Sequence, residues 1–340
     1  MVVMLVSCTE KEELCTDHEQ STIAFSSVEA EQEMMTRSAT PLERDFVVYG
    51  YKNVNSSTQQ VIDGYTVTYK QGSANTSEDN THNYYYVNGT TQTIKYWDFA
   101  ASEYRFWGYT GDKSCFSNGG TELTIPVSDL LTDKEPTELP LYSKLYIRKP
   151  ITSDVVTLEY KRPYSKIRAL FYTSEPMEAG DEIDLTKITL TPDEEKKIYK
   201  AGTVEVTYSF DETAEKVKTT PSDVSADALE MLTYQKVTLT PSAGYTSDHA
   251  VLAKTKYDTE FYYTLPMGDK NPAFILTVCV NDDTEYKTAV VPAAYMHWKP
   301  NYTYTYIFKI TEAGKKIELF DVKIDPWHYG GSQNEKWRNW

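Results

Sequence analysis

Along much of its length the chain alternates apolar or aromatic side chains with polar ones, the period of two expected of a strand with one buried face. "GYTVTYK" (64–70) is the plainest case, with Tyr65, Val67 and Tyr69 on one face and Thr66, Thr68 and Lys70 on the other. "DFVVYGYK" (45–52) and "EYRFWGYT" (103–110) are compact apolar and aromatic runs that also predict strands. In "YYYVNGTTQTIKYW" (84–97), Asn88-Gly89 stands between aromatic and β-branched runs. Both residues tolerate positive φ, so the pair predicts a type I′ hairpin. A second series follows residue 150: "DVVTLEYKRPYSKIRALFY", "KITLT", "GTVEVTYSF", "YQKVTLT", "EFYYTLP", "FILTVCV", "YKTAVVP" and "YTYTYIFKI". Short strands at this spacing, parted by turn residues, predict a β-sandwich. The best helix signal is "DVSADALEML" (223–232), with Asp223 as its N-cap.

The proline- and charge-punctuated stretch ending at Pro150 marks the expected boundary between two domains, because proline interrupts strand pairing. The expected architecture is all-β: an N-terminal sandwich over 44–150 and a C-terminal one over 151–340. At 340 residues the chain has the length of two ordinary domains. Its 28 tyrosines, 11 phenylalanines and 6 tryptophans suit half-buried pleated surfaces. A net charge of −16 argues against electrostatic binding of nucleic acid or anionic membrane. No run of about 18 apolar residues follows Cys8, so any membrane attachment would be by acyl chain alone.

Candidate chemistry is sparse. The histidines at 18, 82, 249, 297 and 328 have no helical metal-site spacing, and no P-loop, GxSxG or GxGxxG occurs. Cys15, Cys115 and Cys279 form neither a CxxC nor a disulfide framework. Asp193-Glu194-Glu195 and Asp282-Asp283 sit where solvated turns are expected. No enzyme activity, metal or cofactor is indicated. Tyr84, Tyr85, Tyr86 and Trp97 permit carbohydrate stacking, although tyrosines covering a sandwich core explain them as well.

The two ends carry more information. Cys8 closes the short apolar segment 1–6 behind the small residue Ser7, an arrangement suited to lipoprotein cleavage, which makes it a candidate lipid anchor. Residues 9–43 read as an acidic leash. Within it, "STIAFSSV" sets Ile23 and Phe25 in alternation with polar or small residues, a short strand that could fill a groove in the first domain. Arg37, in the polar stretch "MMTRSATP", is expected to be open to proteases, with Arg44 as a more shielded competitor. Near the C-terminus, Phe320, Val322 and Ile324 alternate with Asp321, Lys323 and Asp325, predicting a strand with one buried face. Trp327 and the hinge-like Gly330-Gly331 follow it, and such a tail can pair in cis or in trans.

"LVSC" followed by Lys11-Glu12-Glu13, then "FVVYGY", "KYWDFAASEYRFWGYT", "VVTLEYKRPYSKIRALF" and "WKPNYTYTYIFKI", in that order over most of the chain, resembles the fimbrillin-like proteins of Bacteroidetes, the type V pilus subunits. The match is weakest between residues 211 and 249, and the leader is short. The resemblance implies two tandem transthyretin-like sandwiches, a surface-exposed outer-membrane location before incorporation into a fimbrium, and no enzymatic activity. It implies cleavage after Arg37, so that mature subunits begin at Ser38. It also implies donor-strand joining of pilin subunits, for which Phe320, Val322, Ile324 and Trp327 are the candidate donor positions. The expected partners are therefore other pilins and a host or bacterial surface ligand. A monomeric surface glycan-binding lipoprotein is the alternative.

Overall fold

The computed structural model describes residues 21–29, 42–71, 84–128, 130, 139–150, 155–173, 178, 180–193, 197–222, 228–229, 232–234, 236–240, 251–252, 261–266, 272–281, 284–311 and 314–326. Among them the only helical turns are short 3₁₀ segments such as Lys113–Cys115, and the rest of the regular structure is strand. No described helix is long and apolar enough to cross a membrane.

The first sandwich is built on an eight-stranded sheet. From one end its strands run Phe25–Glu29, Val156–Lys161, Tyr142–Ser143, Glu103–Tyr109, Phe46–Val54, Ser57–Lys70 and Tyr84–Val87, and Tyr146–Arg148 pairs alongside Glu103–Tyr109. Both faces of this sheet are buried, which explains why its central strands read as continuous apolar runs. One face packs on a four-stranded sheet containing Glu122–Val127, Gly202–Thr207 and Lys216–Pro221. Its core is an aromatic stack in which Trp107 lies between Tyr51, 5.4 Å away at 12°, and Tyr208, 4.9 Å away at 7°. The Trp107 indole N–H donates to Gly120 O at 2.6 Å, and the Tyr208 hydroxyl donates to Ser143 O at 2.8 Å. No buried polar tip of this stack is left without a partner.

The opposite face encloses a second core of Phe46, Val48, Phe106, Leu158 and Tyr160. Room for these rings comes from glycines on the same face. A Cβ on Gly50 would meet the Phe106 ring at 2.6 Å, and one on Gly108 would meet the Tyr160 hydroxyl at 2.3 Å and Val47 O at 2.9 Å.

The second sandwich sets a sheet with Ser165–Thr173 parallel to Tyr302–Thr311 against one of Ile183–Pro192, Phe274–Val280 and Tyr286–Val291. Within its core the Trp298 indole donates to the Tyr306 hydroxyl, which donates to Tyr295 O, each at 2.9 Å.

Four sequence expectations change. Sheet pairing crosses Pro150: Val156–Lys161 pairs with Phe25–Glu29 and Tyr142–Ser143, and Gly202–Thr207 pairs with Glu122–Val127. Arg105, buried at 9% exposure, ties this crossing down by donating to Ser209 O and Glu212 O at 3.0 and 2.5 Å. The helix expected over 223–232 is absent from its described part. Ala228–Leu229 pairs with Ile198–Tyr199, and Leu232 joins a strand against Leu190, because tertiary burial outweighs local propensity. Residues 223–227 lie outside the described residues.

The type I′ hairpin does not form at Asn88-Gly89, since neither residue has positive φ. The Asn88 side chain instead accepts from Thr90 N at 3.0 Å, an Asx turn that leads the chain away. The two-residue hairpin is at Asn55-Ser56, with φ of 49° and 63° and Val54 opposite Ser57. Finally, Lys316–Pro326 is a strand, but its apolar alternation is broken. Ile307 and Phe308 face Asp321 and Leu319, so Phe320 bulges out of register, 58% exposed, with its ring 4.9 Å from Tyr172.

The tyrosine-rich cores have a consequence at high pH. Burial foremost pushes Tyr172 and Tyr304 up to about 12, from an ordinary 10.0. A group with a raised folded pKa gives stability that is fully present below its unfolded value and lost as pH rises through the folded one. Urea midpoints are therefore expected to hold up to about pH 10 and to fall steadily towards pH 12. A midpoint unchanged over that interval would contradict the assignment of these phenols to the folded core.

Candidate functional site

The concave core of the first sandwich is completed by the N-terminal segment. From Ser21 to Ile23 this segment pairs with residues 95–97: Ile23 N–H donates to Lys95 O at 2.8 Å, Trp97 N–H to Ser21 O at 3.0 Å, and Thr22 bridges Tyr96. At Ala24 it changes partner. Ala24 O accepts Val156 N–H at 2.8 Å, and Phe25–Glu29 then runs parallel to Val156–Tyr160. The run "TIKYW", expected as the second arm of a hairpin, therefore serves as the wall against which this strand rests.

That wall is held by the turn that follows it. Lys52 Nζ meets Asp98 Oδ2 at 2.5 Å, and this bond foremost lowers the Asp98 pKa, aided by the Ala100 amide. Asp98 N–H donates to the Tyr104 hydroxyl at 2.7 Å, and Trp97 stands edge-on to Tyr104 at 4.7 Å. The open side is met by Gln92, whose amide accepts from Thr66 N–H at 2.6 Å and donates to Thr66 O at 2.9 Å. A side chain here supplies the pairing that a neighbouring strand would otherwise provide.

Ile23, Phe25 and Ser27 point inward and are 6%, 4% and 1% exposed. Phe25 stands edge-on to Phe106, centroids 5.4 Å apart. Ser27 Oγ donates to the Tyr85 hydroxyl at 2.8 Å, linking the N-terminal strand to Tyr84–Val87 at the far end of the same sheet. The eight-stranded sheet thus closes on itself through one short strand. The chain returns at the same point: Leu42 N–H donates to Ser27 O at 3.3 Å and Glu43 N–H to the Tyr85 hydroxyl at 3.1 Å. Beneath them lies Tyr160, whose pKa burial holds well above the usual range, with Tyr208 and Tyr85 adding to the effect.

The anticipated site residues separate by position. Cys8, Arg37, Ser38 and Trp327 lie outside the described residues. Phe320, Val322 and Ile324 belong to the last strand, paired in cis along Tyr302–Thr311 from Tyr302 opposite Pro326 to Thr311 opposite Lys316. Val322 packs against the second core, whereas Phe320 and Ile324 are exposed. The carbohydrate platform does not assemble: Trp97 is 4% exposed inside the first sandwich, and Tyr85 is spent on Ser27. The Tyr84 side chain is outside the described residues. A cleft of about 390 Å³ between the sandwiches is lined by Lys144, Lys161, Lys299 and Glu215 among others. Lys161 is bound to Glu215 at 2.6 Å and Lys144 is paired with Glu159, so two of its three ammonium groups are already engaged. Among the described residues no three of His, Cys, Asp and Glu gather as a metal site. The closure at Tyr85 was not anticipated from the sequence, because it joins residues 58 positions apart through two hydroxyls.

No protein-family model matches this chain, and no curated protein matches it. Solved structures do. A candidate cell adhesion protein from Bacteroides ovatus is 14% identical with a TM-score of 0.45, over 92% of this chain and 99% of that one. A fimbrial protein from Bacteroides vulgatus is 14% identical with a TM-score of 0.40, over 90% and 99%. The tip fimbrial protein Mfa3 from Porphyromonas gingivalis, truncated at its C-terminus, is 11% identical with a TM-score of 0.36, over 90% and 99%.

The N-terminal strand packs within the first sandwich alone and is expected to open independently of the second. Phe25→Ala removes a buried aromatic, a change that costs about 3–5 kcal/mol in a packed core. Native-state hydrogen exchange should show faster exchange for the amides of 23–29 and of Trp97 and Val156, with those of Tyr302–Thr311 unchanged. Equal acceleration in both sandwiches would show that the strand is an inseparable part of one cooperative unit.

Proposed function

We propose that this chain is a structural subunit of a bacterial surface fimbria that serves adhesion, joined to its neighbours by exchange of the strand that closes the first sandwich. The observation carrying this reading is the N-terminal strand itself. It fills a core, yet its covalent link to the rest of the sandwich runs through residues 30–41, the stretch that contains Arg37. Cleavage after Arg37 leaves a mature chain beginning at Ser38 and a strand held by non-covalent contacts alone. A strand from another subunit can then take its place by β-strand addition.

Cys8 is the lipid anchor of the precursor, each buried CH₂ of its acyl chains contributing about 0.8 kcal/mol to membrane attachment at the outer membrane. The donor is the C-terminal segment 317–340, with Phe320, Val322, Ile324 and Trp327 as its apolar positions. Its described part, as far as Pro326, is paired in cis, and Ile317 and Val322 must leave the second core before it can pair in trans.

Two experiments bear on this reading. In cells making the protein with its natural leader, the wild type should give detergent-resistant ladders beginning at Ser38. Arg37→Ala should give a lipid-labelled monomer at the membrane, and normal ladders from it with the N-terminus at Cys8 would overturn the processing step. Thr303 and Asp325 face each other across the last two strands, so Thr303→Cys with Asp325→Cys tethers the donor in cis. Ladders are expected only after reduction. Unchanged ladders from the oxidised protein would assign the donor role to another segment.

A further inference from the structure

We propose that the groove selects the strand it will accept by reading three successive inward positions, large apolar, large apolar, then small, with the Tyr85 hydroxyl as the reading group. This rests on the exchange reading above and specifies which partner strands the site can take: within the donor segment the order is met by Trp327, Tyr329 and Gly331, whereas Phe320, Val322 and Ile324 put a large side chain third and are excluded from that register.

The side-chain pattern is already present in the resident strand. Thr22 and Ala24 are exposed, whereas Ile23, Phe25 and Ser27 face the core. The first two inward positions meet aromatic rings, Phe25 against Phe106 and Ile23 in the cluster that holds Trp97. Such surfaces tolerate exchange among large apolar side chains of similar volume.

The third position differs. Ser27 is the most deeply buried residue of the strand, at 1% exposure, and it lies opposite Leu158, which is itself fully buried. Its space is bounded by Tyr85, which cannot easily move away. The Tyr85 ring packs on Phe46 at 5.8 Å and Tyr69 at 5.3 Å, and its hydroxyl also accepts Glu43 N–H. A larger side chain in place of Ser27 would push against a ring fixed on two sides, remove the hydroxyl that donates to Tyr85, and draw Tyr85 away from Glu43 N–H, leaving that donor without its acceptor. A small residue fits, and a small hydroxyl residue satisfies Tyr85. The resident strand runs parallel to Val156–Lys161, and this direction sets the order in which the three positions are read.

The test uses the full chain with a site-specific protease sequence placed within residues 31–36. After cutting, fluorescent peptides compete for the groove and are followed by anisotropy. A peptide of residues 21–29, "STIAFSSVE", should enter. The same peptide with Leu in place of Ser27 should bind at least about tenfold more weakly, as overpacking of a tight site implies. Gly at that position should bind only a few-fold more weakly, the size expected for one neutral hydrogen bond, and in the Tyr85→Phe protein Ser and Gly peptides should become equal. A peptide of reversed order should not compete. Equal binding of the Leu and Ser peptides would overturn the selection rule while leaving strand exchange standing. Failure of every peptide, the natural sequence included, would overturn exchange itself and the rule with it.

Discussion

One hydrogen bond, from Ser27 to Tyr85, marks the constraint on which the first sandwich depends: a sheet that bends round a concave aromatic core must close its own gap. Both faces of the sheet are apolar, so neither can be left to water. The convex side is covered by the four-stranded sheet. Among the described residues the concave side is covered by loops and the N-terminal segment, and the width left between Val156–Lys161 and residues 95–97 is that of a single strand. Other local features follow from this. Gly50 and Gly108 lack side chains so that Phe106 and Tyr160 can fill the interior, and the Asp98 turn holds the 95–97 wall in place.

The all-β character and most individual strands were legible in the sequence, because period-two alternation is a local property. The short strand at Ile23 and Phe25 was legible for the same reason. What eluded sequence reasoning was non-local. Asn88-Gly89 is a strong hairpin signal, yet no hairpin forms there because the segment after Gly89 pairs instead with residues 21–23. Pro150 follows the strand Tyr146–Arg148, but no local signal states that Gly202–Thr207 will pair with Glu122–Val127, about eighty residues earlier, the separation following from their register. Apolar alternation around Phe320 looked intact, since a bulge is an extra residue in a ladder whose partner cannot be read from the sequence alone.

Of the site, the sequence disclosed the apolar positions of the resident strand but not the reading group. Tyr85 is one of 28 tyrosines and sits in a run of three. Its role arises from the curvature of the sheet, which brings the two ends together, and curvature has no signature at a single position.

The treatment of sheet edges bears on why this strand, among so many, would be the exchangeable one. The edge strand Lys216–Pro221 carries exposed Lys216 and Lys218 and ends in proline, features that discourage a further strand from pairing there. The strand Phe25–Glu29 has no lysine, arginine or proline, and its outward residues from Thr22 to Val28 are uncharged. A permanent edge is guarded by charge, whereas a segment whose place must be taken by another strand leaves behind a wall that charge would spoil. Val156–Lys161 supplies such a wall, its inward residues Val156, Leu158 and Tyr160 almost wholly buried beneath the strand that now covers them. Once uncovered, those residues would be unstable towards water and would favour any strand able to replace the first. The concave core that makes closure necessary is therefore also what would drive exchange, and the side chains that stabilise the isolated subunit are the ones that would bind the next.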